Sequence, residues 1–218
     1  IVICRSANHS ITFYHFVLDC LPQLRHIPEH IFQQPSNYRI LLRDASPYFR
    51  QWLKIIIPKL DRINVSTEKI VGCDHLYSIK SSWTHKVPTA SDIEGIYFLR
   101  DRINNLQQLR RVKKRNLLIL IKRNSGNRSI SNHDGLEQLC REYAKENKLV
   151  VLVHDDENLP GVIEQLKYFS RAVCIVGPHG AGLTNILACK PYTYVIEAGY
   201  PRSMNCYKNL CRNLSLNY

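Results

Sequence analysis

The sequence predicts an α/β fold built on a parallel sheet, and three features carry that expectation. Four short apolar runs occupy the second half of the 218 residues: Asn116–Ile121, Leu149–Val153, Ala172–Val176 and Tyr192–Glu197. They are nearly continuous rather than alternating, the pattern of strands covered on both faces. Segments with helical periodicity separate them, so each strand returns by a crossover. Together these give a Rossmann-like topology over 116–199, with a less regular α/β unit ahead of it.

The first half opens on residues 13–24. Phe13, Phe16, Val17, Cys20, Leu21 and Leu24 follow the rhythm of an amphipathic helix. Tyr38–Leu42 is a short β-like run, and 47–60 reads as a helix with Pro47 in its first turn, where proline is tolerated. Residues 70–79 read as a second β-like region broken by Gly72, and 81–91 as a loop rich in Ser, Thr and Pro. Residues 92–110 are helical in pattern, with Leu99, Ile103, Leu106 and Arg110 on one face. The run Arg110–Arg115 (RRVKKR) reads as a linker.

In the second half, Asn132 is a good N-cap for a helix whose stripe is Leu136, Leu139, Cys140 and Tyr143. Residues 159–170 form the next helix. A glycine loop over 177–182 then leads into a helix over 183–189. There is no internal repeat, and no apolar stretch approaches the roughly 18 residues of a membrane span.

Composition narrows the function classes. Thirty Lys and Arg against 18 Asp and Glu give a formal charge of +12, which suits an anionic partner such as a phosphate, a sulfated glycan or nucleic acid. Eight cysteines show neither a C-x-x-C pair nor zinc spacing. Four N-x-[ST] sequons, at Asn8, Asn64, Asn127 and Asn213, favour the ER or Golgi lumen over a cytoplasmic setting, the alternative if the source is bacterial. The chain starts at Ile1 in mid-pattern and reads as a piece of a longer one. Membrane contact is then expected only through an anchor upstream.

The strongest local signal is Gly177-Pro-His-Gly-Ala-Gly-Leu-Thr-Asn185, where a buried strand runs through three glycines into a helix. Such a turn aims backbone N–H groups and a positive helix end at an anion, and a Cβ would block the approach of a diphosphate. The spacing is not G-x-G-x-x-G and no P-loop lysine follows, which argues against a dinucleotide site and an NTPase. The bland alternative is a tight turn with no ligand. Lys122–Ser129 (KRNSGNRS) also follows a strand, so Arg123 and Arg128 would reach the same sheet edge with forks suited to phosphate oxygens. Glu197, at the end of the fourth strand, is placed where carboxylates bind ribose hydroxyls or cap a neighbouring helix. His15 and Asp19 lie four apart on one helix face, as a general base with its orienting carboxylate or as a buried hydrogen-bonded histidine. His154-Asp-Asp-Glu157 reads better as a solvated loop than as a metal site.

Taken together, these residues resemble glycosyltransferase family 61. The likeness runs through Ile121-Lys-Arg, Arg128–Asn132, Glu164-Gln165, the 177–185 loop, Val195-Ile-Glu197, Tyr207 and Leu214–Tyr218, and includes the N-terminal block Phe13–Asp19 with Leu21-Pro22. That family includes EGF-domain O-GlcNAc transferases, protein O-mannose N-acetylglucosaminyltransferases and plant xylosyl- and arabinosyltransferases. The resemblance implies an inverting transferase of GT-B type, with two Rossmann-like units facing a cleft. An acceptor-side unit would occupy 1–110, a nucleotide-sugar unit 111–200 and a C-terminal helix 201–218.

By the same resemblance, Arg123, Arg128 and the loop residues Gly177, His179, Gly180, Ala181, Gly182, Leu183, Thr184 and Asn185 would hold a UDP-sugar, and Glu197 its ribose or uracil side. His15 and Asp19 would act on the hydroxyl of a protein or glycan acceptor. No cofactor or metal is expected, because arginines and helix ends can neutralise the leaving UDP. Unlike the best-known animal members, this chain shows no D-x-D-like stretch. Two rivals stand beside this reading: a nucleotide-dependent oxidoreductase, and a non-catalytic binder of heparin-like glycans or nucleic acid. The missing G-x-G-x-x-G and the missing acidic residue at the end of a second strand speak against the first, and the second leaves the glycine loop and the paired strand-end loops without a job, with no nucleic-acid module present.

Overall fold

The structure is a computed structural model that describes residues 12–33, 38–41, 46–57, 64–66, 72, 74–77, 88–124, 128–199 and 205–218. The chain divides into two compact units, with the break between Arg102 and Ile103.

The first unit begins as one helical run of changing pitch. Helix α1 (Phe13–His15) passes into a π-turn, Phe16–Cys20, and then a 3-10 segment, Leu21–His26. The amphipathic helix expected over 13–24 is therefore helical but neither regular nor two-faced, because every residue from Phe16 to Leu24 is buried. Phe16 stacks on Phe49 at 4.0 Å, and Phe13 meets the edge of Trp52. These partners come from α3 (Pro47–Ile56), whose inner face is Phe49, Trp52, Leu53 and Ile56. The sequence suggested a helix to residue 60. It stops at Ile56 because Pro58 follows and the residue before a proline is forced out of helical geometry; Ile57 has φ −108° and ψ 107°.

Helix α2 (Glu29–Gln33) had no clear sequence signal. Strand β1 (Arg39–Leu41) lies within the expected run and pairs in parallel with β2 (Asn64–Ser66), which was not anticipated. Within the β-like 70–79 region, residues 72 and 74–77 are not in a strand; the rest, and the loop 81–87, lie outside the described residues. Helix α4 (Ala90–Asn104) starts earlier than expected, capped by Thr89 and Asp92 through reciprocal bonds of 2.7–3.3 Å. Gly95 lets α4 approach the 21–26 segment, since a Cβ there would lie 2.6 Å from Pro22 Cβ. The expected single helix over 92–110 is interrupted at 105–106, and α5 (Gln107–Arg110) completes it.

The second unit is a four-stranded, wholly parallel sheet in the order β4-β3-β5-β6. The strands are β3 (Leu117–Lys122), β4 (Val150–Asp155), β5 (Ala172–Pro178) and β6 (Tyr194–Ala198), close to the four apolar runs. Residues 117–121 of β3 are buried on both faces because it is a central strand. One face packs Leu118, Leu120, Cys174 and Val176 against Cys140 of α6 (His133–Glu146). The other carries α7 (Val162–Ser170), where Leu166 and Phe169 are fully buried, each contributing roughly 1.5–3 kcal/mol.

Asn132 caps α6 as expected, accepting from Gly135 N–H at 3.2 Å. The expected stripe is corrected: Leu139 and Tyr143 are exposed, and the buried residues are Cys140 and Ala144 with Leu136 at the margin. β4 is an edge strand and is only partly covered, contrary to its apolar sequence. The RRVKKR run is not all linker. Arg110 ends α5, and Arg115 donates to Thr193 Oγ1 at 2.9 Å and Ala172 O at 3.2 Å, tying β5 to the turn before β6. Helix α8 (Cys206–Asn213) follows, and the backbone of 215–217 bonds along β6: Tyr192 N–H to Ser215 O, Val195 N–H to Asn217 O and Asn217 N–H to Thr193 O. That segment covers an edge that would otherwise be open for pairing. Among the described residues no helix is long and apolar enough to cross a membrane.

Candidate functional site

Sheet order singles out one edge of the second unit. From β3 the chain crosses outward to β4, whereas from β5 it steps to β6 on the opposite side. Adjacent strands whose connections diverge leave a crevice at their carboxyl ends, the ligand site of open α/β sheets. The loops after β3 and β5 both begin there.

Register fixes the second loop. Gly177 pairs with Glu197 and Pro178 with Ala198, and His179 N–H donates to Ala198 O at 3.3 Å. The glycine loop is thus shorter than its sequence implied. Gly177 belongs to the strand, the turn is His179-Gly180, and a 3-10 helix already runs over Ala181–Ala188. Its first hydrogen bond is Leu183 N–H to Gly180 O at 3.0 Å, so the N–H groups of Ala181 and Gly182 precede the helical ladder.

Each glycine makes room for something specific. A Cβ on Gly177 would sit 2.6 Å from Ile121 Cβ, and one on Gly182 3.1 Å from Ile121 Cγ2, so these two let the loop fold over β3. A Cβ on Gly180 would sit 2.7 Å from Arg123 Nη1. The guanidinium from the first loop therefore lies against the turn of the second. Arg128 is also close, its charge acting on the Tyr207 hydroxyl against the burial that raises that hydroxyl's pKa. Residues 125–127, including the Asn127 sequon, lie outside the described residues.

A buried polar chain backs the turn. His179 Nδ1 is hydrogen-bonded to Glu197 Oε1, with side chains only 7% and 5% exposed. The second oxygen of Glu197 accepts the Tyr218 hydroxyl at 2.5 Å. Tyr207 donates to Gly180 O at 2.6 Å, its ring edge-on to His179 at 5.3 Å. Both oxygens of the carboxylate expected at ribose are thus engaged within the protein. Leu183, Thr184 and Asn185 are fully buried beneath the loop and anchor it; Asn185 Nδ2 donates to Gln165 Oε1 at 2.9 Å, and Gln165 Nε2 to Pro160 O at 2.7 Å.

The neighbouring acidic stretch is not a solvated loop throughout. His154 is buried in β4, edge-on to Phe169 and beside Gly182, and burial pushes its pKa down to about 4. Asp155 and Asp156 accept from Asn124, while Asp155 also pairs with Lys122 at 3.4 Å, so that lysine is partly spent within the loop. The Glu157 N–H, first among several donors, holds the Asp155 pKa down. Among the described residues, no three His, Cys, Asp or Glu side chains cluster as metal ligands.

In the first unit, His15 Nδ1 and Asp19 Oδ2 are 2.5 Å apart, their side chains 15% and 5% exposed. The Tyr14 ring meets the imidazole edge-on. The carboxylate stands on the π-turn, a distortion frequent at functional sites, and no residue pattern in the sequence marks it. Sequence reasoning also missed what Tyr207 and Tyr218 do, since neither spacing nor periodicity links them to residues 180 and 197.

A mixed α/β chain with a four-stranded parallel sheet fits an α/β glycosyltransferase fold. The family model described as Glycosyltransferase 61 matches residues 13–196, and the chain belongs to that family. Its activity is accordingly glycosyl transfer. No curated protein matches the chain.

Proposed function

We propose that this chain is an inverting, UDP-sugar-dependent glycosyltransferase of GT-B type that moves GlcNAc or a pentose such as xylose to a protein or glycan hydroxyl. The observation that carries this reading is the meeting of Arg123 with the Gly180 turn at the switch point, where the N–H groups of Ala181 and Gly182 precede the helical ladder. A guanidinium beside the first N–H groups of a helix suits the oxygens of a diphosphate. In this reading residues 111–200 are the donor unit, residues 1–110 serve the acceptor, and 201–218 supply Tyr207 and Tyr218 to the donor side.

The reaction is a single displacement. The acceptor oxygen attacks the anomeric carbon as the bond to the UDP oxygen breaks, and UDP leaves with the electron pair. His15, oriented by Asp19, takes the acceptor proton. Arg123, Arg128 and the loop N–H groups stabilise the charge that develops on UDP, which leaves no required task for a metal. The lumen of the secretory pathway is the proposed setting. Cys20 is disulfide-bonded, as an oxidising compartment allows.

The test is a thermal-shift panel of UDP-sugars, NAD and heparin, followed by UDP release in EDTA. UDP-sugars alone should stabilise the chain, and turnover should survive EDTA. A shift with NAD or heparin only would overturn the donor reading. Complete loss in EDTA with rescue by manganese would overturn metal independence.

A further inference from the structure

We propose that Tyr218 and Glu197 are positioning residues that hold His179 in one tautomer, with Nδ1–H on Glu197, and so fix the turn that carries it. The expected effect on UDP binding rests on the loop being the donor site; the hydrogen-bond geometry itself does not.

An imidazole's second torsion is broad and roughly two-fold, so ring packing alone does not fix which nitrogen faces which partner. A carboxylate bonded to one nitrogen selects the tautomer and the ring plane. Glu197 is bonded to Nδ1 through Oε1. One bond still leaves the carboxylate free to swing, and Tyr218 removes that freedom by donating to Oε2 at 2.5 Å.

The placement of Tyr218 favours this role over core packing. The residue is 53% exposed, yet its hydroxyl reaches a carboxylate whose side chain is only 5% exposed. Its backbone is delivered by the bonds along β6, with Val195 N–H to Asn217 O at 2.7 Å and Asn217 N–H to Thr193 O at 3.0 Å. The strand that carries Glu197 therefore also sets where Tyr218 sits. Across the ring, Tyr207 fixes the turn through Gly180 O, so backbone and imidazole are held by separate tyrosines.

The experiment is side-chain 15N NMR of the whole chain without ligand, with UDP affinity and KM for the donor measured on the same samples. The neutral form of His179 should carry its proton on Nδ1. Tyr218→Phe should give mixed tautomers and about tenfold weaker UDP binding, seen in KM more than in kcat, with little change in thermal midpoint. Glu197→Ala should lose the Nδ1–H signature altogether. An Nε2–H tautomer in the unsubstituted protein overturns the proposal, and needs no variant to fold. So does a Tyr218→Phe protein that keeps both its tautomer and its UDP affinity. If the unsubstituted chain does not bind UDP, the donor reading fails while the tautomer measurement still decides the positioning pair.

Discussion

Gly180→Ala and Gly177→Ala should behave oppositely, although both glycines stand in one nine-residue motif. Gly180 has φ 168° and ψ 175°, extended backbone that alanine adopts without strain. Its new Cβ would lie 2.7 Å from Arg123 Nη1. Comfortable contact is about 3.5 Å, so the guanidinium must retreat by roughly 0.8 Å. That atom ends a flexible side chain, so the unliganded protein should lose no more than about 0.5 kcal/mol. A diphosphate would lose a charge-assisted contact of about 1.5–3 kcal/mol, or roughly 10- to 150-fold in affinity. Gly177 is different, because its Cβ would lie 2.6 Å from Ile121 Cβ, an atom fixed to the backbone of the adjacent strand. Overpacking there should cost about 1–3 kcal/mol, a fall of roughly 2–4 °C in midpoint per kcal/mol. Thermal denaturation without ligand and calorimetric UDP titration read the two effects separately. The reasoning is refuted if Gly180→Ala binds UDP like the unsubstituted chain, or is destabilised as much as Gly177→Ala.

His154 should make the fold acid-labile. Its unfolded imidazole takes a proton near pH 6.5 while the buried one resists until about 4, so stability falls as pH drops through that window, by about 3 kcal/mol; His154→Gln should flatten this part of a urea-melt pH series, and an unchanged slope would exclude burial as the cause. Tyr207→Phe removes the bond to Gly180 O and should cost about 1 kcal/mol in a denaturant melt, with weaker UDP binding. His15→Ala should lower kcat for transfer by at least about 100-fold while UDP affinity holds; near-normal turnover would remove it as the base.

The second unit was legible because its signals are local. Continuous apolar runs mark β3 and β5, which are buried, and Asn132 caps α6 as its side-chain chemistry requires. Errors arose where tertiary context decided. The run Leu149–Val153 that marks β4 is wholly apolar, like the core of β3, yet β4 lies at the sheet edge, and order within a sheet is not written in any one strand. Leu139 and Tyr143 fit the helical period but lie on the solvent side, because the contact with the sheet follows Leu136, Cys140 and Ala144. In the first unit, the π-turn at Phe16–Cys20 has no sequence period of its own, and Leu18 and Asp19, which the amphipathic rhythm leaves to solvent, are buried as well.

Glu197 shows where reading a site from sequence runs out. Its position at the end of a strand beside a glycine loop was visible, and a ribose role follows from that position alone. Its partners were not visible, since they come from residues 18 and 21 positions away. The His179 contact depends on the parallel register that sets Gly177 against Glu197. The Tyr218 contact depends on backbone bonds that run residues 215–217 along β6. Both oxygens of Glu197 are engaged within the protein, and only 5% of its side chain is exposed. The chemistry at this strand end is therefore set by two segments that converge only once the sheet has formed.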